Sequence, residues 1–280
     1  MSSTSAYQTD RDAAQLEYES TEGFSPDDRQ FATTLAKGLE ILRCFTPVQP
    51  VLGNSELSER TGLSRPTISR FTYTLRKLGY LRDDPGTGKY RLAPGVVALA
   101  YPLLATIGLR QRARPLINAL AEATRASVSM GIRDRLSIIY VETSRSSASW
   151  ASQMSDIGLR HAIASTAIGH AYVAGCEPAA RTALLNEIKV RTPTVWARNE
   201  ERLRWAQDEY ATKHFCSSYG EQHPDYCAAG APFGRTSDGE LVVFNCVAPI
   251  GVVSARALER TVGPQLVAMI EQLRSISRSA

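Results

Sequence analysis

Residues 54–92, NSELSERTGLSRPTISRFTYTLRKLGYLRDDPGTGKYRL, constrain the fold more than any other stretch. Asn54 or Ser55 can cap a first helix that carries Leu57 inward. Gly62 supplies the positive φ of a tight turn. Ser64 caps a second helix, with Pro66 in its first turn, where a missing N–H costs nothing. Ile68, Phe71, Leu75 and Leu78 recur at helical spacing as one apolar stripe. Ser69, Arg70, Tyr73 and Lys77 fall on the opposite face, with Arg65 and Thr67 near its start, and Gly79 ends the helix. Tyr80-Leu81-Arg82 and Lys89-Tyr90-Arg91-Leu92 then alternate like strands around a turn rich in Asp, Pro and Gly. Helix, turn, helix and hairpin outline a winged helix-turn-helix.

A helix with a basic, hydroxyl-bearing outer face suits the major groove of DNA. Arginine can hold guanine O6 and N7, and Ser or Thr can meet base edges or phosphate. The expected DNA contacts are Ser64, Arg65, Thr67, Ser69, Arg70, Tyr73 and Lys77, with Lys89 and Arg91 of the wing on backbone phosphates. Charge distribution agrees with this. Residues 31–92 hold ten bases against five acids, whereas residues 1–30 hold seven acids against two bases. The basic surplus therefore lies where DNA is expected.

A chain of 280 residues favours about two domains. Residues 1–30 are acidic, rich in Ser and Thr and without periodicity, and read as a disordered tail. Residues 31–93 form the DNA-binding domain, opened by a helix from Phe31 to Phe45 with Leu35, Leu39, Leu42 and Phe45 on its inner side. Residues 94–125 read as linker helices, interrupted at Pro102 and Pro115. Their apolar residues Val97, Ala100, Leu103 and Leu104 exceed what a thin connector buries; pairing with a second copy is the natural use, and packing on their own domain is the alternative. From residue 126 to 280 the pattern becomes strands in antiparallel pairs, Ser127–Ile132 with Ser137–Glu142 and Tyr226–Pro232 with Leu241–Val247. Helices lie between and after them, making an α+β domain.

The five cysteines are scattered and odd in number, which fits a reducing cytoplasm. No signal peptide is visible and no run approaches the length of a membrane span. There is no nucleophile elbow, HExxH or P-loop, so an enzyme is not expected and no cofactor is implied. His214, Cys216, His223 and Cys227 are zinc ligand types at a spacing that matches no standard site. A zinc-containing protein, or a purely architectural DNA binder with no effector, is the alternative reading.

In order and spacing, several motifs resemble the IclR family of bacterial transcriptional regulators from Phe31 to Ser277. They are ELSERTGLSRPTISR, LRKLGYL and KYRL, then Gly158, ASTAIGHAYVA from Ala164, Tyr219-Gly220-Glu221, Ala229–Pro232 and the strand ending at Pro249. The resemblance implies a winged helix joined by a linker helix to a GAF-like effector-binding domain with an antiparallel sheet. It also implies a homodimer or homotetramer (dimer of dimers), acting on double-stranded DNA at near-palindromic operators of catabolic operons under a small organic-acid effector. The implied effector positions are Met130, Gly131, Tyr140, Glu142, Ala164, Ser165, Thr166, Cys227, Ala229, Asn245 and Val247. Members that bind small oxo-acids tend to carry Ser at the positions of Asn245 and Val247 and Cys at Ala228. The more apolar pocket here favours an aromatic or larger carboxylate. His170 stands where the family usually has Lys or Arg.

Overall fold

A computed structural model describes residues 29–147 and 155–278. The expected acidic tail lies almost wholly outside them. The chain parts between Thr106 and Ile107 into two units.

In the front unit, α1 (Thr33–Arg43), α2 (Asn54–Thr61) and α3 (Arg65–Lys77) precede a hairpin of β1 (Leu81–Asp83) and β2 (Tyr90–Leu92), followed by α4 (Gly95–Thr106). Ile41, Phe45, Leu52, Leu57, Ile68, Leu75 and Leu81 form its core. The face of α1 differs from expectation. Ile41 is buried, while Leu35 and Leu39 are 64% and 44% exposed. Leu78 caps α3 on the outside, and Thr72 takes the inner position, bonding its hydroxyl back to Ile68 O at 3.0 Å. The N-cap of α2 is Gly53, one residue before the expected cap. Glu56 reaches back to accept the Gly53 N–H at 2.9 Å, and a Cβ at Gly53 would meet that carboxylate. Gly62 and Gly79 take positive φ where the two helices end, as their positions required.

In the rear unit, six antiparallel strands run in the order β5-β4-β3-β8-β7-β6. They are β3 (Ser127–Asp134), β4 (Ser137–Arg145), β5 (Arg160–Ala162), β6 (Cys216–Tyr219), β7 (Tyr226–Arg235) and β8 (Leu241–Pro249). Strands β5 and β6 were not legible by alternation, being three and four residues long. One face carries α5 (Gly108–Thr124) and the closing helix α9 (Gly263–Arg278). The other carries α6 (Ala167–Gly175), backed by α7 (Pro178–Arg191) and α8 (Pro193–Lys213). Helix α5, read as linker, buries Leu109, Ala113, Ile117 and Leu120 within this unit. A π-helical turn, Leu258–Val262, leads into Gly263 and Pro264 at the start of the closing helix. No helix of the described residues is long and apolar enough to cross a membrane.

Candidate functional site

The outer face of α3 presents Ser64, Arg65, Ser69, Arg70, Tyr73 and Lys77 to solvent, with Thr67 half-buried. Ser64 and Thr67 share a hydroxyl hydrogen bond of 2.9 Å at the helix start. Lys77 lies 5.6 Å from the Tyr73 ring centroid, so the two act as one patch. Arg65 and Arg70 take no ion-pair partner among the described residues. The two wing cations read from sequence are engaged: Lys89 pairs with Glu56 and Arg91 with Asp84. Asp84 is buried and also accepts from Thr87, and these donors hold its carboxyl below the usual carboxylate range. The pairs brace the wing, Lys89 against α2 and Arg91 across the turn. Arg82, opposite Arg91 on the hairpin, is exposed with no ion pair among the described residues. It was not among the expected contacts, and its place in a three-residue strand gave no sign of its freedom.

The rear unit holds a narrow cleft, with about 30 Å³ of enclosed free volume, between the sheet, the start of α6 and the loop 220–225. Of the positions implied by resemblance, Tyr140, Thr166, Cys227, Asn245 and Val247 line it; Met130, Gly131, Glu142, Ala164, Ser165 and Ala229 do not. Strand geometry explains the misses. Side chains alternate faces, and cross-strand partners share one. Asn245 pairs with Gly230 and Ser129, and Val247 with Ala228, so these face α6. Met130 pairs with Phe244, and Ala229 with Cys246, so these face α5 and α9. Tyr140 and Glu142, two residues apart, should share a face. A bulge prevents it: Tyr140 pairs with Gly131 and Glu142 with Met130, leaving Val141 as the extra residue. Glu142 therefore points to α5, where Arg110 and Arg114 hold its buried carboxylate at 3.1 and 2.8 Å.

Gly131 does face the cleft side, but as a packing position. A Cβ there would stand 2.3 Å from Ile138 Cγ2 and 3.1 Å from Ile168 Cδ1. Gly230 and Gly169 likewise seat α6, since a Cβ on either would strike the Ala167 or Ile163 backbone. Thr166 caps α6: its hydroxyl donates to Ala162 O at 2.7 Å and accepts the Gly169 N–H at 3.1 Å. Its side chain is thus engaged, and the Ala167 and Ile168 N–H groups in the first turn carry the positive helix end. His170 Nε2 donates to Ala164 O at 2.9 Å and ties down the loop before the helix. Burial pushes this imidazole down to about 4, so it is neutral at pH 7. The Cys227 thiol turns from the cleft toward Ala248 O and Val253 O.

Sequence reasoning missed His161, Ala167, Ile168, Ser218, Gln222, His223 and Tyr226 of the lining, while Ala228, weighed there as a pocket position, does line it. His161 stacks on Tyr140 with centroids 4.2 Å apart. Ser218 pairs with Ala228 across β6 and β7, a register invisible without the short edge strand. Among the described residues, no three His, Cys, Asp or Glu side chains gather as metal ligands. Of the zinc ligand types of the alternative reading, His223 and Cys227 both line the cleft, whereas Cys216 turns to Ala206 O and His214 is exposed at the end of α8.

A sequence profile described as "IclR helix-turn-helix domain" matches residues 34–85, and one described as "Bacterial transcriptional regulator IclR C-terminal" matches residues 102–277. The chain is 30% identical to HTH-type transcriptional regulator TsaQ1/TsaQ2 of Comamonas testosteroni, over 91% of its own length and 94% of that protein's. It superposes on an IclR family transcriptional regulator from Brucella abortus with a TM-score of 0.78 and 36% identity, covering 93% of this chain and 98% of that one. An IclR homolog from Microbacterium hydrocarbonoxydans, complexed with 4-hydroxybenzoate, shares the fold with a TM-score of 0.69 and 16% identity, covering 88% and 100%.

Proposed function

The chain belongs to the IclR family of bacterial transcriptional regulators, and on that premise we propose that two copies dock α3 into a near-palindromic operator under the control of an organic acid bound in the rear cleft. It is a DNA-binding regulator rather than an enzyme. The observation that carries the DNA-docking proposal is the outer face of α3: Arg65 and Arg70 stand exposed and without ion pairs over a helix whose other side is buried. Arg70 is proposed to read a base edge. Arg65, Lys77 and Arg82 are proposed to hold phosphates, and Lys89 and Arg91 to brace the wing that presents Arg82.

Dimerisation draws support from α4, which buries no residue and exposes Val97, Leu99, Tyr101 and Leu103. Leu35 and Leu39 add to the apolar surface of the same unit. A twofold dimer brings two recognition helices about one turn of DNA apart. Selection from random-sequence DNA should return an inverted repeat with half-sites about one helical turn apart. A single asymmetric half-site would refute the twofold arrangement.

The acid effector draws support from the positive start of α6 in the lining of a cleft walled by Ile168, Ala228, Val247 and the Tyr140 ring. Those walls favour an aromatic or larger carboxylate over a two-carbon acid, in keeping with the 4-hydroxybenzoate of the Microbacterium relative. Control of a catabolic operon is the corresponding role. Thermal-shift titration with benzoates should raise the melting temperature with concentration. A flat response across aromatic and aliphatic acids would refute the effector class.

A further inference from the structure

Asn245 stands in the middle strand pair of the sheet, 3% exposed, and lines the cleft. Its amide nitrogen donates to the Tyr140 hydroxyl at 2.6 Å. Its amide oxygen Oδ1 is buried and receives no hydrogen bond among the described residues. The nearest hydroxyls on its own sheet row do not serve it, since Ser129 Oγ is bonded to Thr143 Oγ1 at 3.0 Å. Buried acceptors in folded proteins are almost always paired, and an unpaired one marks a place where a partner is missing. The same amide is anchored through its nitrogen on Tyr140 Oη, and with that bond made Oδ1 faces a site without a donor among the described residues.

We infer that the effector carries a hydrogen-bond donor in addition to its carboxylate, and that Asn245 Oδ1 accepts from it. This rests on the reading of the cleft as the effector site. The start of α6, which packs on Gly230, the cross-strand partner of Asn245, and Asn245 itself then ask for different chemistry. The first-turn N–H groups of α6 at Ala167 and Ile168 take the anion. Asn245 takes a hydroxyl or amino hydrogen. Ala228 and Val247, which neighbour it on the same face, offer no polar atom to replace it. The ligand class is a hydroxy- or amino-substituted carboxylic acid, in preference to the unsubstituted acid or an ether that can only accept. Satisfying a buried acceptor is worth about ten- to hundredfold in affinity. Asn245 is a specificity-determining residue on this reading.

The test is calorimetric titration of the full-length protein with benzoate and its 4-hydroxy, 3-hydroxy, 4-amino and 4-methoxy derivatives, together with matched aliphatic acids with and without a hydroxyl. At least one donor-bearing acid should bind about tenfold or more tighter than its unsubstituted and methoxy counterparts. In Asn245→Leu that preference should vanish, with the unsubstituted acid bound as well as before or better. Retained operator binding and a cooperative melt would certify that variant as folded. Equal or tighter binding of the methoxy or unsubstituted acids by the unaltered protein overturns the inference while leaving the cleft as an acid site. A hydroxyl preference that survives Asn245→Leu overturns the assignment to Asn245. Failure of every acid to bind overturns the cleft reading itself and this inference with it.

Discussion

Tyr140 and Asn245 meet across an intervening strand. β3 lies between β4 and β8, yet Asn245 Nδ2 reaches Tyr140 Oη at 2.6 Å. The crossing is open because the β3 residue paired with Tyr140 is Gly131, which offers no side chain. Ile138 and Ile168 close over the same spot.

Gly131→Ala should therefore destabilise the rear unit. The added Cβ would stand 2.3 Å from Ile138 Cγ2, a branch atom close to the backbone that cannot swing clear. Overpacking of this kind costs about 1–3 kcal/mol. Urea unfolding followed by circular dichroism should register a loss of that size, and an unchanged midpoint would mean that the sheet relaxes without strain.

The recognition face predicts two different losses on DNA. Arg70→Ala should weaken operator binding by about 1–3 kcal/mol and relax base preference at one position. Arg82→Ala should weaken binding to all sequences alike and reduce the slope of log affinity against log salt by about one. Anisotropy titrations at several salt concentrations separate the two. A sequence-specific loss at Arg82 would exchange their roles.

His170 predicts a pH dependence. Its folded value of about 4 lies below the ordinary 6.5 because burial disfavours the imidazolium. Between those values the unfolded chain binds the extra proton, so stability is full above about pH 6.5 and falls as pH drops toward 4. The loss amounts to about 3 kcal/mol at most. His170→Gln keeps a donor for Ala164 O but does not titrate. Its unfolding free energy should be flatter between pH 6.5 and 4.5 than that of the unaltered chain, and equal slopes would assign the acid sensitivity to other groups.

Leu99→Glu in α4 puts a charge into the exposed apolar surface without touching a buried residue. Sedimentation should find the dimer weakened and operator affinity reduced in step, while the monomer keeps its fold. An unaltered assembly would move the dimer contact elsewhere.

What could be read from residues alone follows from how local each cause is. Gly62 and Gly79 needed a left-handed backbone, and α3 needed one apolar and one basic side. Both are written within a few residues, and both hold in the structure. Leu35 and Leu39 are exposed although helical spacing favoured them inside, because an apolar stripe does not say whether its own unit or another surface covers it. Glu142 was misassigned because one extra residue in β4 reverses its face, and no alternation in the strand records that bulge. Lys89 and Arg91 pair with Glu56 and Asp84, contacts that the spacing of the wing residues alone does not show. The motif around Thr166 identified the start of α6 correctly, whereas the opposite wall depends on β5, β6 and the loop after Tyr219, which carry too few residues for a periodic signal.

The central claim is that an acid held against the sheet changes how tightly α3 grips DNA. Its most direct test is the affinity of the full-length protein for a selected operator, by fluorescence anisotropy, with and without a saturating acid that calorimetry has found to bind. A change of about 5- to 150-fold in either direction is expected, as for ordinary coupling between sites. Identical operator affinity with the acid bound and absent would contradict the claim.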